Sequence, residues 1–275
     1  MPKGDEKKNV AKEAAGDRRK GPRALKSQDL APILSSWAYE EGKTVRRVKA
    51  VGGREVLQVR LPLGLEQYEI DGRPDGKRPM DHESWLHYYW AQAKSRKPDA
   101  GALSLSDEDF ARLQEEGLLY YYRYLIFFQV HEYRLCARDT RRNLKLLDFV
   151  EEHASKEQAE ALEQYRPYIL RMNCMARALF KVQEEDDVPG ALRLLQAGSR
   201  AIEELPDIVD NPVFELEKTR SLKSLEDLIQ QLEAHVPKHV ALENELKRAI
   251  RSENYERAAT LRDEITALRK SLKEG

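Results

Sequence analysis

Residues 106–130 read SDEDFARLQEEGLLYYYRYLIFFQV. Ser106 is an N-cap residue, and Asp107, Glu108 and Asp109 crowd the first turn, where the positive end of a helix dipole favours carboxylates. Phe110, Leu113, Gly117, Tyr120, Tyr121, Tyr124, Leu125 and Phe128 then mark the buried side of a long helix. The pattern breaks at Val130-His131-Glu132-Tyr133, and a second helix follows through Leu135, Leu144, Leu147 and Val150. Two long helices joined by so short a turn form an αα-hairpin. The fold class that follows is mainly α: stacked helical hairpins, a small β-hairpin element before them and a further helical hairpin after them.

Toward the C-terminus the helix signals continue. Ser155 with Gln158 three residues on is a capping-box pattern. Pro167 breaks the helix it opens, and a fresh helix runs from about Pro167 to Gln183. Pro189 suits the first position of the next helix, which ends near Pro206. Asn211-Pro212 opens another through Phe214, Leu216, Leu222, Leu225, Leu228, Ile229 and Leu232, closed by Pro237. Toward the N-terminus, helical spacing begins at His82 and places Trp85, Leu86, Tyr89 and Trp90 on one face. Before it, Thr44–Val51 and Arg54–Leu61 are β-prone runs joined by Gly52-Gly53, and a tight primed turn needs the positive φ that glycine supplies. Leu63, Leu65, Tyr68 and Ile70 extend the strand pattern, and Leu30, Ile33, Leu34 and Trp37 make a short helical turn. Asp71-Gly72-Arg73-Pro74-Asp75-Gly76-Lys77-Arg78-Pro79 is a rigid loop, either a structural turn whose aspartates accept backbone hydrogen bonds or a charged epitope.

Composition narrows the function. The chain has 275 residues, 35% of them charged, and a net charge of −1, so as a whole it is not a polyanion binder. Its first thirty residues differ: nine Lys/Arg stand against five Asp/Glu with almost no large apolar residue. Such a segment cannot offset its chain entropy by burial and is expected to be a disordered basic arm, a solubilising tail or a weak nucleic-acid tether. No stretch resembles an apolar leader, so none is expected, and Leu118–Phe128, interrupted by Arg123, is too short to span a bilayer. Cys136 and Cys174 show no CxxC pairing, which fits a reduced, cytoplasmic setting.

One arrangement recurs three times. A helix ends, a polar turn carries an apolar residue, and a new helix opens with small residues: His131-Glu132-Tyr133 with Cys136 and Ala137; Asp186-Asp187-Val188 with Ala191; Glu253-Asn254-Tyr255 with Ala258 and Ala259. The first two resemble tetratricopeptide-like helical pairs, although the full repeat signature is absent. The third lies in the run from Leu242 to Ile265, where Leu242, Leu246, Ala249 and Ile250 line one helix and Ala258, Leu261, Ile265, Leu268 and Leu272 the other. With its acidic-aromatic turn, its Ala258-Ala259 pair and Leu261-Arg262-Asp263-Glu264-Ile265, this run resembles the UvrB/UvrC motif. Thr260 stands where a charged residue is commoner.

The resemblance implies a partner-binding hairpin, since the motif mediates association of UvrB with UvrC in nucleotide excision repair. Leu57–Gly64, Asp71–Gly76 and Arg138–Leu144 are similar to stretches of bacterial proteins that carry the same C-terminal motif. The residues expected to face a partner are Leu242, Leu246, Ala249, Ile250, Tyr255, Ala258, Ala259, Leu261, Arg262, Asp263, Ile265 and Leu268. That partner is a protein with a similar helical hairpin, or a second copy of the chain. A two-helix hairpin buries little alone, so its apolar stripe docks on another molecule or on its own chain against the helix 211–236.

Candidate catalytic patterns fail on spacing. His82 and His87 are five apart, one more than the zincin motif allows, and Pro237 separates His235 from His239. There is no phosphate loop and no nucleophile elbow, so the helicase chemistry of UvrB has no counterpart, and neither an enzyme nor a cofactor or metal is expected. Arg134, Arg138, Arg141, Arg142 and Lys145 recur at helical spacing, either as a solvated face pairing with Asp139 and Asp148 or as a nucleic-acid stripe. The tyrosines and phenylalanines of 120–128 cover several helix faces and read as core. The divisions expected are a basic arm over 1–30, a β-containing element over 31–80, a helical body over 81–210, a connecting helix over 211–237 and the hairpin over 238–275. The reading that follows is a non-catalytic adaptor, with a DNA-repair accessory touching nucleic acid through the arm and the arginine stripe as the alternative.

Overall fold

Helix caps and prolines set the boundaries of most of the elements. A computed structural model describes residues 29–97 and 101–274, so the segment read as a basic arm lies outside the described residues except for its last two. In chain order come α1 (Ala31–Ser36), β1 (Val45–Lys49), β2 (Glu55–Leu61), β3 (Gly64–Glu69), α2 (Trp85–Ser95), α3 (Asp107–Gln129), α4 (Tyr133–His153), α5 (Lys156–Glu163), α6 (Arg166–Phe180), α7 (Val188–Glu203), α8 (Pro212–Arg251) and α9 (Tyr255–Glu274). Ser106 and Asp109 form a capping box, as do Ser155 and Gln158, and Asn211 accepts from the Phe214 amide. Pro167 lies in the first turn of α6, as its missing donor requires.

The described residues divide into two units. The small one joins residues 29–44 to Arg60–Leu65. In it the buried Arg60 donates to the Trp37 carbonyl at 2.9 Å and to the Gly64 carbonyl at 3.0 Å. The large one holds Val45–Val59 and Glu66 onward.

In the large unit β1 pairs antiparallel with β2, Val45 opposite Val59 and Lys49 opposite Glu55. The sheet order is β1-β2-β3. The turn is one residue wider than a two-residue primed loop: Gly53 N donates to Ala50 O at 3.0 Å and Ala50 N to Arg54 O at 2.9 Å, with Gly52 and Gly53 both at positive φ. One face of the sheet, with Leu57, Tyr68 and Ile70, packs on Tyr124, Phe127, Tyr133, Cys136 and Met172. Beyond it α3, α4, α6, α7 and α8 pack in sequence, α4 against α6 and α6 against both α7 and α8. A further cluster joins Ala178, Leu195, Ile202, Leu225 and Leu232. Gly198 lets α7 approach α6, since a Cβ there would lie 2.4 Å from Cys174 Sγ.

Three expectations are corrected. Helix α2 begins at Trp85, not at His82, because Ser84 caps it by accepting from the His87 amide. Helix α8 does not stop at Pro237: it runs unbroken for 40 residues. A proline inside a helix removes one hydrogen bond, and α8 continues because it is packed on both sides, through Leu225, Leu228 and Leu232 before it and Leu242, Leu246 and Ala249 after it. The connecting helix and the first helix of the hairpin are thus one element. Finally, the most deeply buried side of α3 includes two charges, Glu116 and Arg123, while Phe110, Gly117, Tyr121, Leu125 and Phe128 are half-buried.

Those two charges hold the loop 69–76 against the helices. Glu116 Oε2 accepts from Trp85 N at 2.7 Å and Arg73 Nη1 at 3.2 Å, while Oε1 accepts from Leu86 N at 3.1 Å and from Arg142 Nη2. The carboxylate therefore caps α2 and neutralises two arginines. Arg123 donates to both oxygens of Asp139, at 2.7 and 3.0 Å, and to the carbonyls of Glu69 and Gly72. The loop Asp71–Pro79 is accordingly a structural turn over much of its length, with Asp75 accepting from the Lys77 amide and Asp71 from Arg138. Removing one partner of a buried ionic network leaves the others uncompensated, at a cost of about 3–5 kcal/mol. Glu116→Ala is expected to lower the unfolding free energy by about that amount in urea titration; an unchanged midpoint would show that the network contributes nothing to the fold.

Candidate functional site

The hairpin is built from the second half of α8 and from α9, and its turn repeats one already used in the body. Glu253 sits at φ 55°, Glu253 N donates to Ile250 O at 3.1 Å, and Asn254 N reaches back to Ala249 O at 2.9 Å. At the α3–α4 turn His131 sits at φ 61°, His131 N donates to Phe128 O at 3.1 Å, and Glu132 N reaches Phe127 O at 2.8 Å. Both are left-handed helix stops with the same two back-bonds. In both, a tyrosine opens the next helix and small residues follow three and four positions later: Cys136 and Ala137 after Tyr133, Ala258 and Ala259 after Tyr255. Asn254 Oδ1 then caps α9 by accepting from Arg257 N at 3.1 Å.

The expected partner-facing residues fall into two groups. Ala249, Ala258 and Leu261 are buried between the two helices, with Leu242 and Leu246 packed against them, and Ile265 and Leu268 are buried further along α9. Ile250, Tyr255, Ala259, Arg262 and Asp263 are exposed. Near the turn Arg257, rather than Arg262 or Asp263, makes the ion pairs of the hairpin, with Glu245 at 2.7 Å and Glu264 at 3.5 Å.

The two turns differ in what covers them. Tyr133 is 6% exposed: it meets the Phe128 ring edge-on at 5.5 Å, stacks on His131 at 5.6 Å and shares a core cluster with Leu57, Tyr68 and Ile70 of the sheet region. Arg47 of β1 pairs with Glu132 across the same turn. Tyr255 is 69% exposed and Ile250 45%.

Near the other end of the hairpin, Arg269 Nη2 lies 2.5 Å from Asp186 Oδ2 at the α6–α7 turn and 3.8 Å from Glu243 Oε1, and its Nε reaches His239 Nε2 at 3.4 Å. Asp186, His239 and Glu243 bring one potential ligand atom each within 4.8 Å of one another. The Arg269 guanidinium supplies the positive charge between them, so the cluster works as an ion-pair latch between α9 and the body.

The arginine stripe of α4 is divided by the fold. Arg142 pairs with Glu116, and burial pulls its guanidinium below the usual range, against the opposing pull of Glu116. Arg138 pairs with Asp139 and Asp71 and donates to the Ile70 carbonyl. Arg134, Arg141 and Lys145 are exposed along a cleft of about 680 Å³ whose other walls include His87 and Trp90 of α2, Arg177 and Phe180 of α6 and Leu194 of α7. Asp148 pairs with Arg166. Linear spacing on α4 does not reveal Arg177 or Trp90, which reach the cleft from elsewhere in the sequence. Of the histidines compared with a zincin pair, His82 contacts the Met80 carbonyl and His87 the Ser84 hydroxyl, on either side of the α2 cap. Among the described residues no helix is long and apolar enough to cross a membrane.

The second half of α8 and α9 thus form a two-helix hairpin with a closed interior and an exposed turn. A family model, the UvrB/uvrC motif, matches residues 238–271, so this is a UVR-containing chain. No curated protein and no solved structure matches it.

Because Ala258 lies between the helices, a large charged side chain there would separate them. In Ala258→Arg, amide exchange is expected to accelerate over 240–271 while residues 133–150 of α4 keep their protection; parallel loss in both regions would mean that the hairpin and the body unfold as one unit.

Proposed function

We propose that this chain is a non-catalytic adaptor that holds a protein partner at the turn end of its UVR hairpin. The observation that carries the reading is the contrast between two matching turns. The α3–α4 turn has its tyrosine buried against the sheet region and its phenylalanine half-buried; the α8–α9 turn leaves Tyr255 69% and Ile250 45% exposed. Aromatic anchors of this kind contribute strongly when an interface desolvates them. Most of the apolar stripe is used inside the hairpin, so the contact falls on Ile250, Tyr255 and Ala259, with Arg262 and Asp263 as exposed charges on the same helix pair. The matching UvrB/UvrC motif supports a helical-hairpin mode of binding. The partner is a protein carrying a UVR-type or similar helical hairpin, or a second copy of this chain.

The double variant Ile250→Asp, Tyr255→Ala changes only exposed side chains and is expected to fold. Against an immobilised UVR-type hairpin its affinity should fall at least about tenfold, as loss of an interface anchor does. Sedimentation velocity on the purified chain reads the self-association arm, where the same variant should shift any dimer toward monomer. Unchanged binding and unchanged sedimentation, with an intact far-ultraviolet spectrum, would place the contact elsewhere.

A further inference from the structure

The cleft bounded by α2, α4, α6 and α7 concentrates positive charge that the fold does not use. Arg138, Arg142 and Lys181 on its wall are paired, and its acidic residues Asp71 and Glu185 are engaged by Arg138 and Lys181. Arg134, Arg141, Lys145 and Arg177 have no acidic side chain within ion-pair distance among the described residues. Four unpaired cations face one concavity in a chain whose net charge is −1. Like charges gathered this way repel, and the field they create is relieved by an anion.

We propose that this cleft binds single-stranded nucleic acid through its phosphates. The form of the site favours that ligand over others. Along α4 the axial rise from Arg134 to Lys145 is about 16 Å, so the cations make a row suited to successive charges rather than to one. Three of the four are guanidiniums, whose planar fork matches phosphate oxygens. Trp90 and Phe180 add rings to the same walls, the combination of basic groove and aromatic surface that tracks a strand while giving its bases something to stack on. An acidic peptide would satisfy the charges but has no flat bases for those rings. Stacking on those rings needs unpaired bases, which a duplex does not offer.

The test uses the full chain and a labelled mixed-sequence strand about a dozen nucleotides long, once as DNA and once as RNA, followed by fluorescence anisotropy at about 50 and 200 mM salt. At least one strand should bind. The slope of log affinity against log salt should be about −2 to −3, as three or four phosphate contacts on a single strand give. Arg141→Glu with Arg177→Glu should weaken binding at least about tenfold without lowering the melting temperature, and Arg134→Ala should weaken it less. If Arg141→Glu alters the fold, the Arg134→Ala and Lys145→Ala pair carries the same expectation. The DNA and RNA arms decide which strand is the ligand. The proposal is overturned if neither strand binds at the lower salt, or if folded charge variants bind as well as the parent, which would move the contact to the basic segment near the N-terminus. It is also overturned if a duplex of the same sequence binds more tightly than the strand, or if poly-glutamate of similar length displaces the strand at equal concentration.

Discussion

The fold turns on one carboxylate. Glu116 is fully buried and accepts four donors: two amides at the start of α2 and two guanidiniums, one from the loop after β3 and one from α4. A buried charge is tolerated only when paired and hydrogen-bonded. Here the pairing requires three segments distant in sequence to converge on one point of α3. Two turns further along the same helix Arg123 does the converse, a buried cation satisfied by Asp139 and by two carbonyls of the same loop. A wholly apolar interface would bury these segments as well. The paired charges add direction, because a slip of α4 by one residue would take Arg142 from Glu116 and Asp139 from Arg123.

That network also explains what the sequence displayed and what it concealed. Caps and prolines act within a few residues, so Ser106, Ser155, Pro167 and Asn211 were legible as helix boundaries. Pro237 was not, because whether a helix survives an internal proline depends on packing contributed by residues far along the chain. Glu116 stands in the run Glu115-Glu116-Gly117 and looks like one more solvated acid. Its signal was positional: Leu113, Glu116, Tyr120, Arg123 and Phe127 recur at three- and four-residue steps, the spacing of one helix face. Read as a register rather than as a list of apolar residues, the stripe contains both charges. The cleft was half visible for the same reason: the α4 arginines share a helical period, whereas Arg177 and Trp90 join them only through the packing of α6 and α2.

The division of the arginines follows from burial. Arg138 and Arg142 lie where α4 meets the loop and α3, so their charges are committed to the fold. Arg134, Arg141 and Lys145 lie on the cleft side of the same helix and keep theirs available. One periodic stripe thus serves two purposes, and substitutions along it separate into those that affect stability and those that affect only the surface field. The hairpin divides in the same way. Ala249, Ala258 and Leu261 close the helix pair, while Ile250 and Tyr255 sit at its turn and contribute little to holding it together.

The unbroken course of α8 determines how that turn is presented. Leu225, Leu228 and Leu232 anchor the helix in the core against α6 and α7, and the turn residues 252–254 follow about twenty positions later. At 1.5 Å per residue this carries the turn roughly 30 Å beyond the last core leucine. A flexible linker of the same residue count would let the hairpin sample many orientations, and binding would then lose the entropy of ordering it. A continuous helix removes most of that loss in advance, and the Arg269–Asp186 contact ties α9 to the body where the hairpin leaves it. The same stiffness limits the partners. On the proposed reading, a partner engages Ile250 and Tyr255 end-on at the turn of the helix pair, which suits another helical hairpin better than a flat surface.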